Sequence, residues 1–178
     1  KDSTSITKTN VVILLLESFS KEYIGYYNLD LDDGNYHGYT PFLDSLLQHS
    51  ITYKYSFASG RKSIDAMPSV LSSIPMLIEP YIVTPYSTNA VSSLADCLNK
   101  QGYTTASSHH PFKIPSQYKD SFPQGTQPIH QCIGYTDHSL RMFFTYVQQQ
   151  AWYDNTLFVI TADHTNQVSL PEYATAKG

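Results

Sequence analysis

Four positions in this chain carry side chains that could hold a cation or attack an electrophile. Glu17 follows the apolar run 11–16, and Asp163 with His164 follows the apolar run 157–162. Carboxylate oxygens and imidazole nitrogens in one set suit Mn²⁺, Mg²⁺ or Zn²⁺. Ser63 follows Gly60, Arg61 and Lys62 and opens a stretch of helical spacing. A helix N-terminus presents unpaired N–H groups and partial positive charge, so an anion is stabilised there. A serine hydroxyl at that place becomes a nucleophile when a divalent cation coordinates its oxygen, and Arg61 and Lys62 would meet the oxygens of a phosphoryl or sulfuryl group. Each feature also has a plainer reading: Ser63 as an N-cap, and Glu17 and Asp163 as polar residues where strands leave a core. Their joint presence favours a metal site.

The elements that would position these groups follow from periodicity. Runs 10–16 and 157–162 are short, uninterrupted and rich in β-branched residues, as in strands buried on both faces of a parallel sheet. Ligands of such sheets gather outside the carboxyl ends of the strands. Thr40-Pro41 reads as a helix start, with Phe42, Leu43, Leu46 and Leu47 as its apolar stripe. Further strands are expected at 51–57 and 103–106, and helices at 64–73, 92–100 and 136–149. In the last of these, Leu140, Phe143, Phe144 and Val147 fall at i, i+3, i+4, i+7. Helices alternating with strands predict an α/β fold: a mainly parallel sheet flanked by helices on both faces, in one domain over 1–178.

Composition excludes several partners. A formal charge of −4, with Lys and Arg scattered, offers no footprint for nucleic acid or an anionic membrane surface. The longest apolar run is far below the ~20 residues that cross a bilayer. Cys97 and Cys132 lack CxxC spacing and read as two unpaired thiols. Fifteen tyrosines would suit the walls of a groove. His130, Asp137 and His138 could extend the ligand set to a second metal; helix-surface and loop roles are their plainer reading.

The stretches 10–19 (NVVILLLESF), 39–44 (YTPFLD), 60–63 (GRKS), 108–112 (SHHPF) and 152–165 (WYDNTLFVITADHT) together resemble the sulfatase-like extracellular domain of lipoteichoic acid synthases and related phosphoglycerol transferases, in the alkaline phosphatase superfamily. The blocks stand in that family's order and cover most of the chain. The resemblance implies that Glu17, Ser63, Asp163 and His164 hold one divalent cation, Mn²⁺ first and Mg²⁺, Zn²⁺ or Ca²⁺ as alternatives. It implies Ser63 as nucleophile and His109 beside the substrate phosphate, with His110 taking that place in the neighbouring register. The substrate would be a phospholipid or phosphoglycerol-type ester, bound also by Arg61 and Lys62. An extracytoplasmic domain, tethered to the membrane by N-terminal helices of a longer protein, is the implied location.

Two departures qualify the resemblance. Formylglycine sulfatases carry Cys or Ser followed by x-Pro-x-Arg, whereas Ser63 is followed by Ile64-Asp65-Ala66-Met67; phosphoryl transfer is therefore expected ahead of sulfate-ester hydrolysis. Family domains also hold a long segment between the stretch matching 103–106 and the His-Pro block, and continue past the point matching Gly178. An incomplete domain is expected, with family segments missing near 106/107 and after 178. A catalytically silent domain that binds a glycan or lipid head group through its tyrosine-rich loops is the alternative from another class.

Overall fold

A computed structural model describes residues 8–53, 55–108, 114–118, 120–122 and 125–166. The two apolar runs pair with each other: β1 (Asn10–Leu16) lies parallel to β2 (Thr156–Ala162), in register from Asn10↔Thr156 to Leu16↔Ala162. Side chains alternate across a strand, so Val12, Leu14 and Leu16 share a face with Phe158, Ile160 and Ala162. That face meets α1 (Pro41–Leu47) and α4 (Pro128–Val147). Leu16, Ile160 and Ala162 pack against the buried cluster of Phe19, Tyr23, Leu43 and Ile133. Further along, the Phe158 ring lies 5.2 Å from that of Phe144, which is 4% exposed. Burying such a ring contributes about 1.5–3 kcal/mol.

Among the described residues, the opposite face is covered at its carboxyl end. There Ala66, Ser69 and Val70 of α2 (Ser63–Ser72) border a cavity of about 140 Å³ with Thr161, Ala162 and Asp163. Nearer the amino ends, Val11, Ile13, Leu157 and Val159 of that face are exposed. The fold is therefore α/β with a two-stranded parallel sheet among the described residues. Residues 51–57 and 103–106, expected as strands, form none. Ile51 and Phe57 are 90% and 87% exposed. Strand propensity is realised only where a neighbouring strand offers its N–H and C=O groups, and among the described residues neither segment pairs with one.

α3 (Leu94–Lys100) is capped by Ser93, whose Oγ accepts the Asp96 N–H at 3.1 Å while the Asp96 carboxylate accepts the Ser93 N–H at 2.9 Å. α4 starts eight residues before the expected 136. Its buried stripe runs His130, Ile133, Asp137, Leu140, Phe144, Val147, so one carboxylate occupies a position where an apolar residue is usual. Asp137 reaches the N-terminus of α1 and accepts the N–H groups of Phe42 (2.9 Å) and Leu43 (2.8 Å). That carboxylate caps α1, while the Thr40 hydroxyl donates to Asp44 Oδ1 at 3.2 Å. Burial pushes the Asp137 carboxyl above the usual range, against the pull of those two N–H groups, and the nearby Asp44 charge adds to the rise. His130 is fully buried, stacked on Tyr39 at 4.1 Å between ring centroids. His138 Nδ1 lies 2.9 Å from Arg141 Nη2. Surface and loop roles do not describe Asp137 or His130, and none of the three joins Glu17, Asp163 and His164 in the ligand cluster. Cys97 and Cys132 are free thiols. No helix among the described residues is long and apolar enough to cross a membrane.

Candidate metal and nucleophile site

The register of the two strands decides where the chemistry gathers. Leu16 pairs with Ala162, so Glu17 and Asp163 stand on the next rung, both just beyond a carboxyl end. The Asp163 N–H donates to the Leu16 carbonyl at 3.1 Å and ties that rung together. Ser18 then turns into the left-handed region, with φ 52°, which non-glycine residues rarely adopt. The turn aims the Ser18 N–H at Asp163 Oδ1 (2.8 Å), and its hydroxyl donates to Glu17 Oε1 (2.8 Å). A second N–H, from His164, reaches the same Asp163 oxygen at 2.7 Å. Asp163 is buried, and its Oδ2 is left facing His164.

The imidazole is oriented by its own neighbour. His164 Nδ1 lies 3.0 Å from the Thr165 carbonyl. A carbonyl only accepts, so Nδ1 carries a hydrogen and donates it there, which turns Nε2 toward the cluster. Nε2 lies 3.3 Å from each of Glu17 Oε1, Asp163 Oδ2 and Ser63 Oγ. Ser63 itself is the first residue of α2. Its hydroxyl donates across to Glu17 Oε2 at 2.9 Å, not back onto its own helix, so it is not the N-cap. The helix start is tied instead by Asp65, whose Oδ2 accepts the N–H groups of Arg61 (3.1 Å) and Lys62 (3.2 Å).

Two carboxylates, an imidazole nitrogen and a hydroxyl oxygen thus converge on one spot. The two carboxylates carry like charge, and a cation among them would offset their repulsion. One ligand atom from each of Glu17, Asp163 and His164 lies within 4.8 Å of the others. Donors ~2.1 Å from a common tetrahedral ion are separated by about 3.4 Å, close to the 3.3 Å separations here. The residues present therefore fit a divalent cation.

Beside this cluster lies an open cleft of about 480 Å³ lined by Ser18, Arg61, Lys62, Ser63, His164, Thr165 and Asn166. Asn166 anchors its far wall: its N–H donates to Ser20 Oγ and its Nδ2 to the Tyr23 hydroxyl, both at 2.9 Å. Burial pushes the Tyr23 hydroxyl above its ordinary range. The structure brings together Glu17, Ser63, Asp163 and His164, and puts Arg61 and Lys62 on the wall beside them. His109 and His110 lie outside the described residues. Ser18, Asp65 and Asn166 are parts of the site that the sequence did not single out. An Asp at the third position of a helix is a capping signature and could have revealed Asp65; nothing in a serine's type announces a left-handed turn, and Asn166 carries no signal at all.

No curated protein and no solved structure matches the chain. The family model for sulfatases matches residues 9–107 and 105–177. Those two segments take in most of the sequence and all four clustered residues, and the chain belongs to the sulfatase family, within the alkaline phosphatase superfamily.

Proposed function

We propose that this chain carries the catalytic site of a metal-dependent phosphoryl transferase or phosphoester hydrolase working through a covalent Ser63 intermediate. Family membership gives the coarser reading, an ester hydrolase or transferase of the superfamily. The observation that supports the finer one is the meeting of Ser63 Oγ with Glu17 Oε2 at 2.9 Å and with His164 Nε2 at 3.3 Å, beside Arg61 and Lys62.

Glu17, Ser63, Asp163 and His164 would hold the cation, with Mn²⁺ as the first choice. When bound, it supplies a Lewis acid that favours the serine alkoxide and offsets charge on the transferring group. Ser63 Oγ attacks phosphorus as its proton passes to Glu17 Oε2, to which it already donates. The bond from phosphorus to the leaving oxygen breaks, and that oxygen takes a proton, a role the resemblance gives to His109. Water or an acceptor hydroxyl then attacks phosphorus, giving its proton to the group that protonated the leaving oxygen; the bond from phosphorus to Ser63 Oγ breaks, and that oxygen takes its proton back from Glu17. Arg61 and Lys62 counter the charge on the non-bridging oxygens. Every residue lining the cleft carries a polar side chain, two of them cationic, which suits a phosphoglycerol-type head group more than an acyl chain, and the reading of the parent as an extracytoplasmic, membrane-tethered enzyme follows from the resemblance.

The family itself favours a second reading, a sulfuric ester hydrolase. One experiment separates the readings: manganese-dependent cleavage of a chromogenic phosphodiester and of an aryl sulfate, each with the chain and with Ser63→Ala. Phosphodiester turnover lost in Ser63→Ala supports the proposal, and preference for the sulfate ester supports the second reading. Equal rates for the two proteins on both substrates would leave a binding domain.

A further inference from the structure

We infer that Asp65 is the positioning residue of Ser63, holding the preceding turn so that the hydroxyl faces Glu17 and His164; the inference rests on the catalytic reading of Ser63. Asp65 is 3% exposed, and its Oδ1 has no hydrogen-bond partner among the described residues. A buried carboxylate with one oxygen unsatisfied is costly. Something must hold it there.

Its other oxygen shows what. Oδ2 accepts the N–H groups of Arg61 and Lys62, the two residues directly before Ser63. A single oxygen gripping two successive amides fixes the backbone of that turn, and with it the direction in which α2 begins. Gly60 makes the seat possible. A Cβ there would lie 2.5 Å from Asp65 Oδ2 and 2.6 Å from its Cγ, so any side chain at 60 would expel the carboxylate from its place. No hydrogen bond joins Asp65 to Glu17, Asp163 or His164 among the described residues, so it acts on the cluster only through Ser63. The same geometry explains why the Arg61 and Lys62 amides are not available to a substrate oxyanion: their hydrogens are already taken, and those residues meet substrate with their side chains.

The test uses amide exchange and metal affinity in the whole chain. In Asp65→Ala the Arg61 and Lys62 amides should exchange at least tenfold faster, while the β1 and β2 amides keep their wild-type rates. Asp65→Asn, which retains one carbonyl oxygen, should restore most of the protection, and Gly60→Ala should mimic Asp65→Ala. Unchanged exchange at 61 and 62 would overturn the inference. Mn²⁺ titration followed by electron paramagnetic resonance supplies the second readout. Asp65→Ala and Ser63→Ala should each weaken binding by a similar factor, about fivefold, and the double variant should lose no more than Ser63→Ala alone. Losses that multiply in the double variant would mean that Asp65 does not work through Ser63. A wild-type chain that binds no Mn²⁺ would sink the metal reading above, and the exchange rates would still decide the role of Asp65.

Discussion

Ser63 Oγ lies 2.9 Å from Glu17 Oε2, although the two residues are 46 positions apart in the chain. The same Glu17 side chain is 3.3 Å from His164 Nε2 through its other oxygen. One carboxylate therefore spans both the nucleophile and the imidazole.

Glu17→Gln keeps an oxygen and the shape of the side chain but removes a negative charge from the ligand set. Mn²⁺ affinity should fall more than about tenfold, read by calorimetric titration. The same loss should appear in melting. At a hundred times its dissociation constant a bound ion adds about 2.7 kcal/mol, or ~5–10 °C for a chain of this size. Excess Mn²⁺ should raise the wild-type midpoint by that amount and leave Glu17→Gln much nearer its metal-free value. Equal Mn²⁺ shifts in both proteins would place the ion elsewhere.

Ser18 holds a left-handed backbone while its N–H and hydroxyl orient Asp163 and Glu17. Such a conformation costs a non-glycine residue about 1–2 kcal/mol. Ser18→Ala keeps the strain and loses the bond to Glu17; Ser18→Gly loses the bond but relieves the strain. The glycine variant should therefore be the more stable of the two by about 1 kcal/mol in urea unfolding, while both lose a similar factor in turnover. An alanine variant as stable as the glycine one would show that the turn at 18 is unstrained.

Much of this site was legible in the sequence because its residues sit at the ends of strongly apolar runs. The strands β1 and β2 needed no partner to be recognised, and their parallel pairing put Glu17 and Asp163 on one rung. The start of α2 was legible from the apolar spacing after Ser63. Residues 51–57 misled for the complementary reason: their alternation of polar and apolar residues has no meaning without a strand to pair with, and the described sheet ends at two strands. The first two turns of α4 were hidden by Pro128, which reads as loop but sits in the first turn of the helix. Asp137 hid the stripe further, since a carboxylate at a core position looks like a break in the pattern until its partners on α1 are known.

Phe144 and Phe57 measure the difference between a ring in the core and a ring that only looks like one. Phe144 is 4% exposed and packs on Phe158; Phe57 is 87% exposed. Phe144→Ala should cost about 3–5 kcal/mol, a large part of the ~5–15 kcal/mol that keeps a domain folded. Phe57→Ala should change stability by less than about 0.5 kcal/mol. Chemical denaturation of both variants checks the pair, and a large loss in Phe57→Ala would mean that residues 51–57 pack in solution after all.

Asp137 gives the fold a pH dependence whose sign follows from its burial. Burial holds its carboxyl above the ordinary value of 3.8, the Asp44 charge adds to the rise, and the Phe42 and Leu43 amides with Arg141 oppose it. The folded chain therefore binds this proton more tightly than the unfolded chain does. Its contribution is present in full below the ordinary value and is lost as pH rises through the raised one. Asp44, also raised by burial, acts in the same direction. In Asp137→Asn no proton is left to lose at this position, although one of the two amide bonds to α1 is given up at about 1 kcal/mol. Across the window that opens at the ordinary value and runs upward in pH, the urea midpoint of the wild type should thus fall more than that of Asp137→Asn, and Asp44 should contribute to the slope that the variant keeps. A stability difference between the two proteins that stays constant across that window would show that the carboxylate is ionised throughout, held by the α1 amides against its burial.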